Sequence, residues 1–356
     1  MMTILGIVVA FLASSIVLAV LYPLAPVIGL MDHPGERRKV HSHAVPPIGG
    51  IAVFLGLVAG SLLSLPLITP QHLFRMAGAA LLVVVGAFDD RFGLGPRSRF
   101  VAQVVAALFL TLGCEVTLTS LGDLLGFGPI DLGVLSVPFT VFAMVGLINA
   151  INMIDGIDGL AGGLVLIALG TLLLLAPEIG AIQILLLMTI AALVPYLICN
   201  LELFGVTGRK VFLGDAGSLL LGYILVWALV DAAGPAGSID PVTALWLVAI
   251  PLLDTLRIMA RRIMQGVSPF SADAGHLHHF LSRVFGSARK ALVLILAAAI
   301  VLTGVGVFGL LTQIGQAVMF YAALSVFVAY LLVARNVRSL SDALEQRSRS
   351  MVSELT

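Results

Sequence analysis

Residues 149–163 read NAINMIDGIDGLAGG and join two strongly apolar segments, 134–152 and 160–177. The side chains of Asn149, Asn152, Asp155 and Asp158 follow one another at intervals of three residues. Glycines beside both aspartates let the backbone approach a ligand closely. Two carboxylates at this point need an explanation, because a helix here would be entering or leaving lipid.

Composition indicates a membrane protein. The chain has 356 residues, of which 60% are hydrophobic and 11% are charged, and its mean hydropathy is +1.13. Soluble globular domains usually contain about 25% charged residues. Apolar stretches of roughly 20 residues, long enough to span a bilayer, recur along the chain. We predict an all-α polytopic membrane protein with about eleven transmembrane helices: 3–22, 48–67, 71–88, 100–118, 134–152, 160–177, 179–198, 217–232, 242–260, 290–310 and 316–334.

The distribution of lysine and arginine predicts the orientation, because these residues concentrate in cytoplasmic loops. With the N-terminus outside, all 19 of them except Arg75 fall in or at the edges of the inner segments. The first stretch lacks a basic leading region and a small-residue cleavage site, so we predict a retained span rather than a signal peptide. Residues 1–334 are predicted to form a single membrane domain, and 335–356 a cytoplasmic tail.

Polar residues with catalytic potential are predicted to converge on the cytoplasmic face. A lone aspartate at a helix end is usually a cap or a solvated loop residue, but five carboxylates on one side repel one another and need a cation. The C-terminus of span five adds partial negative charge. Hard cations such as Mg²⁺ take oxygen ligands and share them with phosphates, so we predict a metal–phosphate site. Its candidate residues are Asp89, Asp90, Asn152, Asp155, Asp158, Asp215, His276, His278, His279, Lys39 and His41.

Other chemistries are poorly supported by the motifs. The chain contains neither a G-x-x-x-x-G-K-[ST] loop nor an EF-hand loop, so ATP hydrolysis and calcium sensing are not indicated. The H-x-H-H cluster at 276–279 leaves zinc as an alternative, and nothing indicates a nucleic-acid partner. A lipid or nucleotide-sugar transporter is the rival function. Transporters bind substrate near the bilayer midplane, whereas the middles of these spans lack charges and Asp254 is the nearest exception.

Four motifs in order carry a family resemblance. They are FDD at 88–90, NxxNxxDGxDGLA at 149–161, VFLGDAGS at 211–218 and HLHH at 276–279. From about Asp32 to Leu281 the chain resembles the polyprenyl-phosphate N-acetylhexosamine-1-phosphate transferases. The eleven spans and inner C-terminus resemble the N-acetylglucosamine branch, since the muramoyl-pentapeptide branch typically has ten spans and a different first inner loop.

The resemblance implies a reaction at the cytoplasmic face of the bacterial inner membrane. A UDP-amino sugar and undecaprenyl phosphate would give sugar-diphospho-undecaprenol and UMP, the first membrane step of cell-surface glycan synthesis. UDP-GlcNAc is the expected donor, with another UDP-N-acetylhexosamine or UDP-MurNAc-pentapeptide as alternatives. Because a phosphate monoester is largely dianionic near neutrality, we favour direct attack over a covalent aspartyl intermediate.

The resemblance also implies roles by motif position. Asp215 is expected to bind Mg²⁺, or Mn²⁺, with help from Asn152, and Asp155 either ligates the metal or orients Asn152. Asp89 is the candidate for the acceptor proton, with Asp90 beside it. The remaining candidates are expected to bind substrate: Phe212 and Asp158 the uracil, His276, His278 and His279 the diphosphate and sugar, and more weakly Lys39 and His41.

Overall fold

The computed structural model describes residues 2–33, 43–64, 69–176, 178, 180–234, 237–266 and 275–333. Within these residues the secondary structure is helical, apart from two isolated β-bridges, Asp32 with Val45 and Ser120 with Asp131. The prediction of an all-α protein is confirmed. In chain order the helices are α1 Met2–Ile28, α2 Gly49–Ser64, α3 Pro70–Phe92, α4 Pro96–Leu108, α5 Ser136–Ile154, α6 Leu160–Leu175, α7 Ala181–Asn200, α8 Gly214–Ala232, α9 Pro241–Leu247, α10 Ala249–Met264, α11 Leu277–Phe285, α12 Ala288–Leu311 and α13 Gln316–Val333.

The described helices make this a multi-pass membrane protein. Seven of them are long and apolar enough to cross a bilayer: α1, α3, α5 with its preceding turn, α7, α8, α12 and α13. Helices α9 and α10 are an apolar pair joined at a bend of 81°, and α2 and α6 are shorter apolar helices. The segment predicted as span four begins with α4, whose first turn carries Arg97 and Arg99. Each of the eleven predicted segments therefore contains a described helix. The length and hydropathy of these helices do not confirm that all eleven cross the membrane.

Helix α8 lies at the centre of the bundle. It packs against α2, α3, α5 and α6, and 83% of its most apolar window is buried inside the protein, against 22% for α1. Close approach depends on glycines. A Cβ at Gly86 of α3 would overlap the backbone of Ala216, and a Cβ at Gly50 of α2 would overlap that of Gly217. The start of α8 is therefore held by backbone contact with two neighbouring helices.

An extended segment fixes the entry to α8. The amide of Phe212 donates to the carbonyl of Pro46 at 3.0 Å, and the amide of Gly50 donates to that of Leu213 at 2.9 Å. Pro46 and Pro47 lack an amide hydrogen and disfavour helix before them, so α2 begins only after this pairing. The start of α2 and the start of α8 are thus tied at one level.

Two basic residues away from the predicted inner segments, His72 and Arg75, have local partners. His72 lies in the first turn of α3 and exchanges capping hydrogen bonds with Thr69. The buried Arg75 places its guanidinium 5.2 Å from the ring centroid of Trp227. Packing within the bundle thus accounts for basic residues away from the predicted inner segments.

We expect Gly86→Ala to lower the stability of the bundle by about 1–3 kcal/mol, because inserting a methyl group against fixed backbone overpacks the contact. The measurement is thermal unfolding of the detergent-solubilised protein. Gly146→Ala is the matched control, since Gly146 of α5 has open space around its Cβ position. Equal unfolding midpoints for Gly86→Ala and wild type would contradict the backbone contact.

Candidate active site

A polar cleft of about 640 Å³ opens beside the start of α8. The elements that line it include the end of α5, the turn that follows, the segment before α8, and α11. Seven of the predicted site residues are on its wall: Asp90, Asn152, Asp155, Asp158, Phe212, Asp215 and His279. Side chains that the motifs place far apart in sequence therefore meet at one cavity.

Asp215 and Asn152 meet in this cleft. The Asn152 side-chain amide donates to Oδ1 of Asp215 at 2.5 Å and to Oγ of Ser218 at 2.8 Å. Asp215 is in the first turn of α8, where the helix dipole stabilises a carboxylate. If the Asn152 amide group flipped, its oxygen would take the place of its nitrogen. Asn152 and Asp215 together can therefore offer two oxygens to a cation.

Asp90 caps α8. Its Oδ1 accepts the amide hydrogen of Asp215 at 2.8 Å, and its Oδ2 accepts that of Ala216 at 3.2 Å. These amides have no partner within the helix, and an Asp side chain is among the best groups to satisfy them. The connection requires Gly214, which has φ of +74° and whose missing side chain leaves room for the Asp90 carboxylate. Asp90 therefore anchors Asp215 relative to α3.

Arg99 links the carboxylates of Asp89 and Asp215. Its Nη1 atom is 2.9 Å from Oδ2 of Asp89 and 3.2 Å from Oδ2 of Asp215. Asp89 itself is buried and is not on the wall of the cleft. A single guanidinium thus balances charge on both residues and joins α4 to the start of α8.

Asp155 is a further oxygen donor on the wall of the cleft. It follows the last residue of α5, and burial, together with the charges of Asp215 and Asp158, raises its pKa to about 7. A cation bound nearby would lower the pKa of Asp155 and favour its ionised form. The oxygen donors of Asp215, Asn152 and Asp155 therefore fit a hard ion such as Mg²⁺.

The protein supplies an incomplete set of ligands. Among the residues that the structure describes, no three His, Cys, Asp or Glu side chains form a metal-binding group. Mg²⁺ is commonly held by one or two carboxylates together with waters and substrate phosphates. The cleft suits an ion that arrives with a phosphorylated ligand better than one held by protein alone.

A second cluster of residues lines the cleft. Lys210 Nζ is 2.6 Å from Oδ2 of Asp158 and 5.5 Å from the ring centroid of Phe212. The buried Asn200 accepts the amide hydrogen of Gly159 at 2.6 Å and donates to the Val211 carbonyl at 2.8 Å. Asn200 thereby holds the turn that carries Asp158 against the extended segment that carries Phe212. An aromatic face and hydrogen-bonding side chains at one position suit a planar base.

The three histidines have different environments. His276 is buried, with Nδ1 2.8 Å from Oδ2 of Asp254. His278 is also buried and rests against Gly156, and neither of its ring nitrogens has a hydrogen-bond partner among the described residues. Burial, together with the neighbouring His279 and His276, lowers the pKa of His278 to about 3. Of the three, His279 is the one that lines the cleft.

Two of the predicted site residues are not located, and three residues of the site were not predicted. Lys39 and His41 lie outside the described residues, so their predicted substrate contacts are not located. Arg99, Asn200 and Lys210 were not among the sequence candidates. Two of these residues could have been found from the sequence. Lys210 directly precedes the VFLGD motif, and Asn200 is a polar residue at the end of an otherwise apolar span. Arg99 was counted only as an inner-face charge.

Comparisons with known proteins identify one family and several relatives of the same name. A family model described as glycosyl transferase family 4 matches residues 72–233. An undecaprenyl-phosphate alpha-N-acetylglucosaminyl 1-phosphate transferase of Yersinia pestis is 40% identical over 324 residues, which are 90% of this chain and 88% of the relative. Proteins of the same name are 37% identical in Escherichia coli K12, over 83% of this chain and 81% of the relative, and in Haemophilus influenzae, over 92% of each.

We expect Asp90→Ala to destabilise the protein by about 0.5–2 kcal/mol, the usual cost of removing a helix cap, and to reduce activity by releasing Asp215. Asp90→Asn keeps an acceptor oxygen for one of the two amides and should preserve most of the stability. Thermal unfolding and turnover are measured for both variants. Equal unfolding midpoints for Asp90→Ala and wild type would exclude the capping role.

Proposed function

The chain belongs to glycosyl transferase family 4, and from its similarity to the undecaprenyl-phosphate N-acetylglucosaminyl 1-phosphate transferases we propose that it catalyses their reaction. It transfers N-acetylglucosamine 1-phosphate from UDP-GlcNAc to undecaprenyl phosphate and releases UMP. The observation that carries this proposal is the carboxylate cluster around Asp215, which opens into a cleft large enough for a nucleotide sugar. The transporter hypothesis does not fit these enzyme relatives.

The reaction exchanges one phosphoanhydride for another. An oxygen of the acceptor phosphate attacks the phosphorus that carries the sugar, and the bond from that phosphorus to the bridging oxygen of UMP breaks. Both Asp90 oxygens already accept backbone amides, which makes Asp90 a poor nucleophile. Asp89 is the better candidate to receive a residual acceptor proton, with Arg99 holding its carboxylate. Since the acceptor is already largely anionic, direct attack needs little base strength.

Two groups of cleft residues would divide donor recognition between them. Phe212, Asp158 and Lys210 would bind the uridine, with the aromatic ring against the base. His279 would donate a hydrogen bond to the diphosphate or the sugar acetamide. Positioning of this kind supplies most of the catalysis in phosphoryl transfer.

Mg²⁺ would be held by Asp215, Asn152 and Asp155, with Mn²⁺ as the alternative. When bound, the ion neutralises negative charge on the donor diphosphate. Arg99 complements this by carrying positive charge on the opposite side of Asp215. The cluster would otherwise repel two phosphorylated substrates.

The reaction also fits a defined membrane arrangement. We propose eleven crossings with the N-terminus outside, the C-terminus cytoplasmic, and the cleft facing the cytoplasm of a bacterium from its inner membrane. Residues 1–334 would form the transferase domain and 335–356 the tail. A cytosolic nucleotide sugar and the phosphate of a lipid then meet at headgroup level, where the ends of α3 and α5 and the start of α8 lie together.

We expect UMP release to require a divalent cation and to be nearly abolished by Asp215→Asn, because that change removes the central charged ligand. Released UMP is measured with purified protein, undecaprenyl phosphate and UDP-GlcNAc, with and without chelator. Asp231→Asn, at the other end of α8, is the matched control and should stay active. Full turnover in excess chelator would refute the metal assignment.

Donor identity is tested by comparing UMP release from UDP-GlcNAc, UDP-GalNAc and UDP-MurNAc-pentapeptide under the same conditions. We expect the highest kcat/KM with UDP-GlcNAc, since the relatives are named for transfer of N-acetylglucosaminyl 1-phosphate. Preferred use of UDP-MurNAc-pentapeptide would assign the protein to the other branch of the family.

A further inference from the structure

Asp254 joins three elements beside the active site. This carboxylate on α10 is 1% exposed. Its Oδ1 accepts hydrogen bonds from Arg257 Nη2 at 2.9 Å, from the Leu277 amide at 3.1 Å and from the Tyr330 hydroxyl at 2.9 Å. Its Oδ2 contacts His276 Nδ1 at 2.8 Å. The carboxylate therefore ties α10, the start of α11 and α13 together.

The contact from α13 is notable because this helix is peripheral. Only 6% of its most apolar window is buried inside the protein. Near its inner end, however, the ring of Tyr330 packs 5.5 Å from the Arg257 guanidinium while the hydroxyl reaches Asp254. A lipid-facing helix thus contributes one polar group to a buried network.

A row of imidazole rings connects this network to the cleft. The ring of His276 stacks on His278 with centroids 5.6 Å apart, and His278 contacts His279 with centroids 4.2 Å apart. His279 lines the cleft beside the aspartates. The carboxylate of Asp254 also fixes the His276 proton on Nδ1, as an acceptor beside a histidine ring does. The position of His279 therefore depends on how Asp254 is held.

We propose that Tyr330 is a positioning residue for the transfer reaction: its hydroxyl holds Asp254 in the geometry from which α11 presents His279 to the donor. This inference rests on the proposed function and extends it to a residue in the last described helix. Tyr330 does not line the cleft. It acts through Asp254 and the start of α11.

The test compares Tyr330→Phe with Tyr321→Phe, the same change on the same helix at an exposed site. Tyr330→Phe removes the hydroxyl but keeps the ring over Arg257, so folding is retained. We expect kcat for UMP release to fall about fivefold to tenfold, since a hydrogen bond to a charged group is among the stronger ones. The dissociation constant of UMP should not change, because Phe212, Asp158 and Lys210, the residues proposed to bind uridine, are not bonded to Asp254. Tyr321→Phe should match wild type.

A double-mutant cycle distinguishes positioning from a general structural role. If Tyr330 acts through His279, adding Tyr330→Phe to His279→Ala produces no further loss of kcat. Multiplied losses in the double variant, or wild-type kcat in Tyr330→Phe, would overturn the inference while leaving the proposed function intact. Failure of the wild-type protein to release UMP from any UDP-sugar would instead overturn the proposed function, and the inference with it.

Discussion

The hydrogen bonds from the first turn of α8 to the Asp90 carboxylate determine where the other site residues lie. They fix the start of the central helix against the end of α3, and so fix Asp215 relative to Asp89 and Arg99. The same point receives the end of α5 through Asn152 and the start of α2 through the Leu213 carbonyl. Close backbone packing at Gly50 and Gly86 makes this junction possible. The reactive cluster is therefore built on helix ends, which are more rigid than a free loop.

Charge balance is the second constraint on this junction. Carboxylates in a partly buried cleft repel one another, and the charges of Asp215 and Asp158 add to burial in raising the pKa of Asp155. Arg99 and Lys210 offset part of this charge through their contacts with Asp89, Asp215 and Asp158. Two anionic substrates bring more negative charge, which is the physical reason for a divalent cation in the proposed reaction. His279 also lines the cleft, where a neutral hydrogen-bond donor adds affinity without holding the released nucleotide too firmly.

The sequence predicted the parts of the site that are encoded locally. Apolar stretches predicted the positions of the helices, and the NxxNxxDGxDGLA and VFLGD motifs predicted that Asn152, Asp158, Phe212 and Asp215 meet. It did not predict the bend between α9 and α10, because the apolar pattern continues through it. Arg99, Asn200 and the Asp254 network were missed because their roles depend on partners distant in sequence, which only packing brings together. The capping role of Asp90 was not predicted from the sequence for the same reason.

The central claim is that this junction transfers a phosphosugar and not a sugar alone. The most direct measurement follows the β-phosphate of UDP-GlcNAc, labelled with ³²P, in a reaction with the purified protein, undecaprenyl phosphate and Mg²⁺. The account predicts that the label enters the lipid product while unlabelled UMP is released in equal amount. Label that remains in soluble UDP while the sugar enters lipid would contradict it.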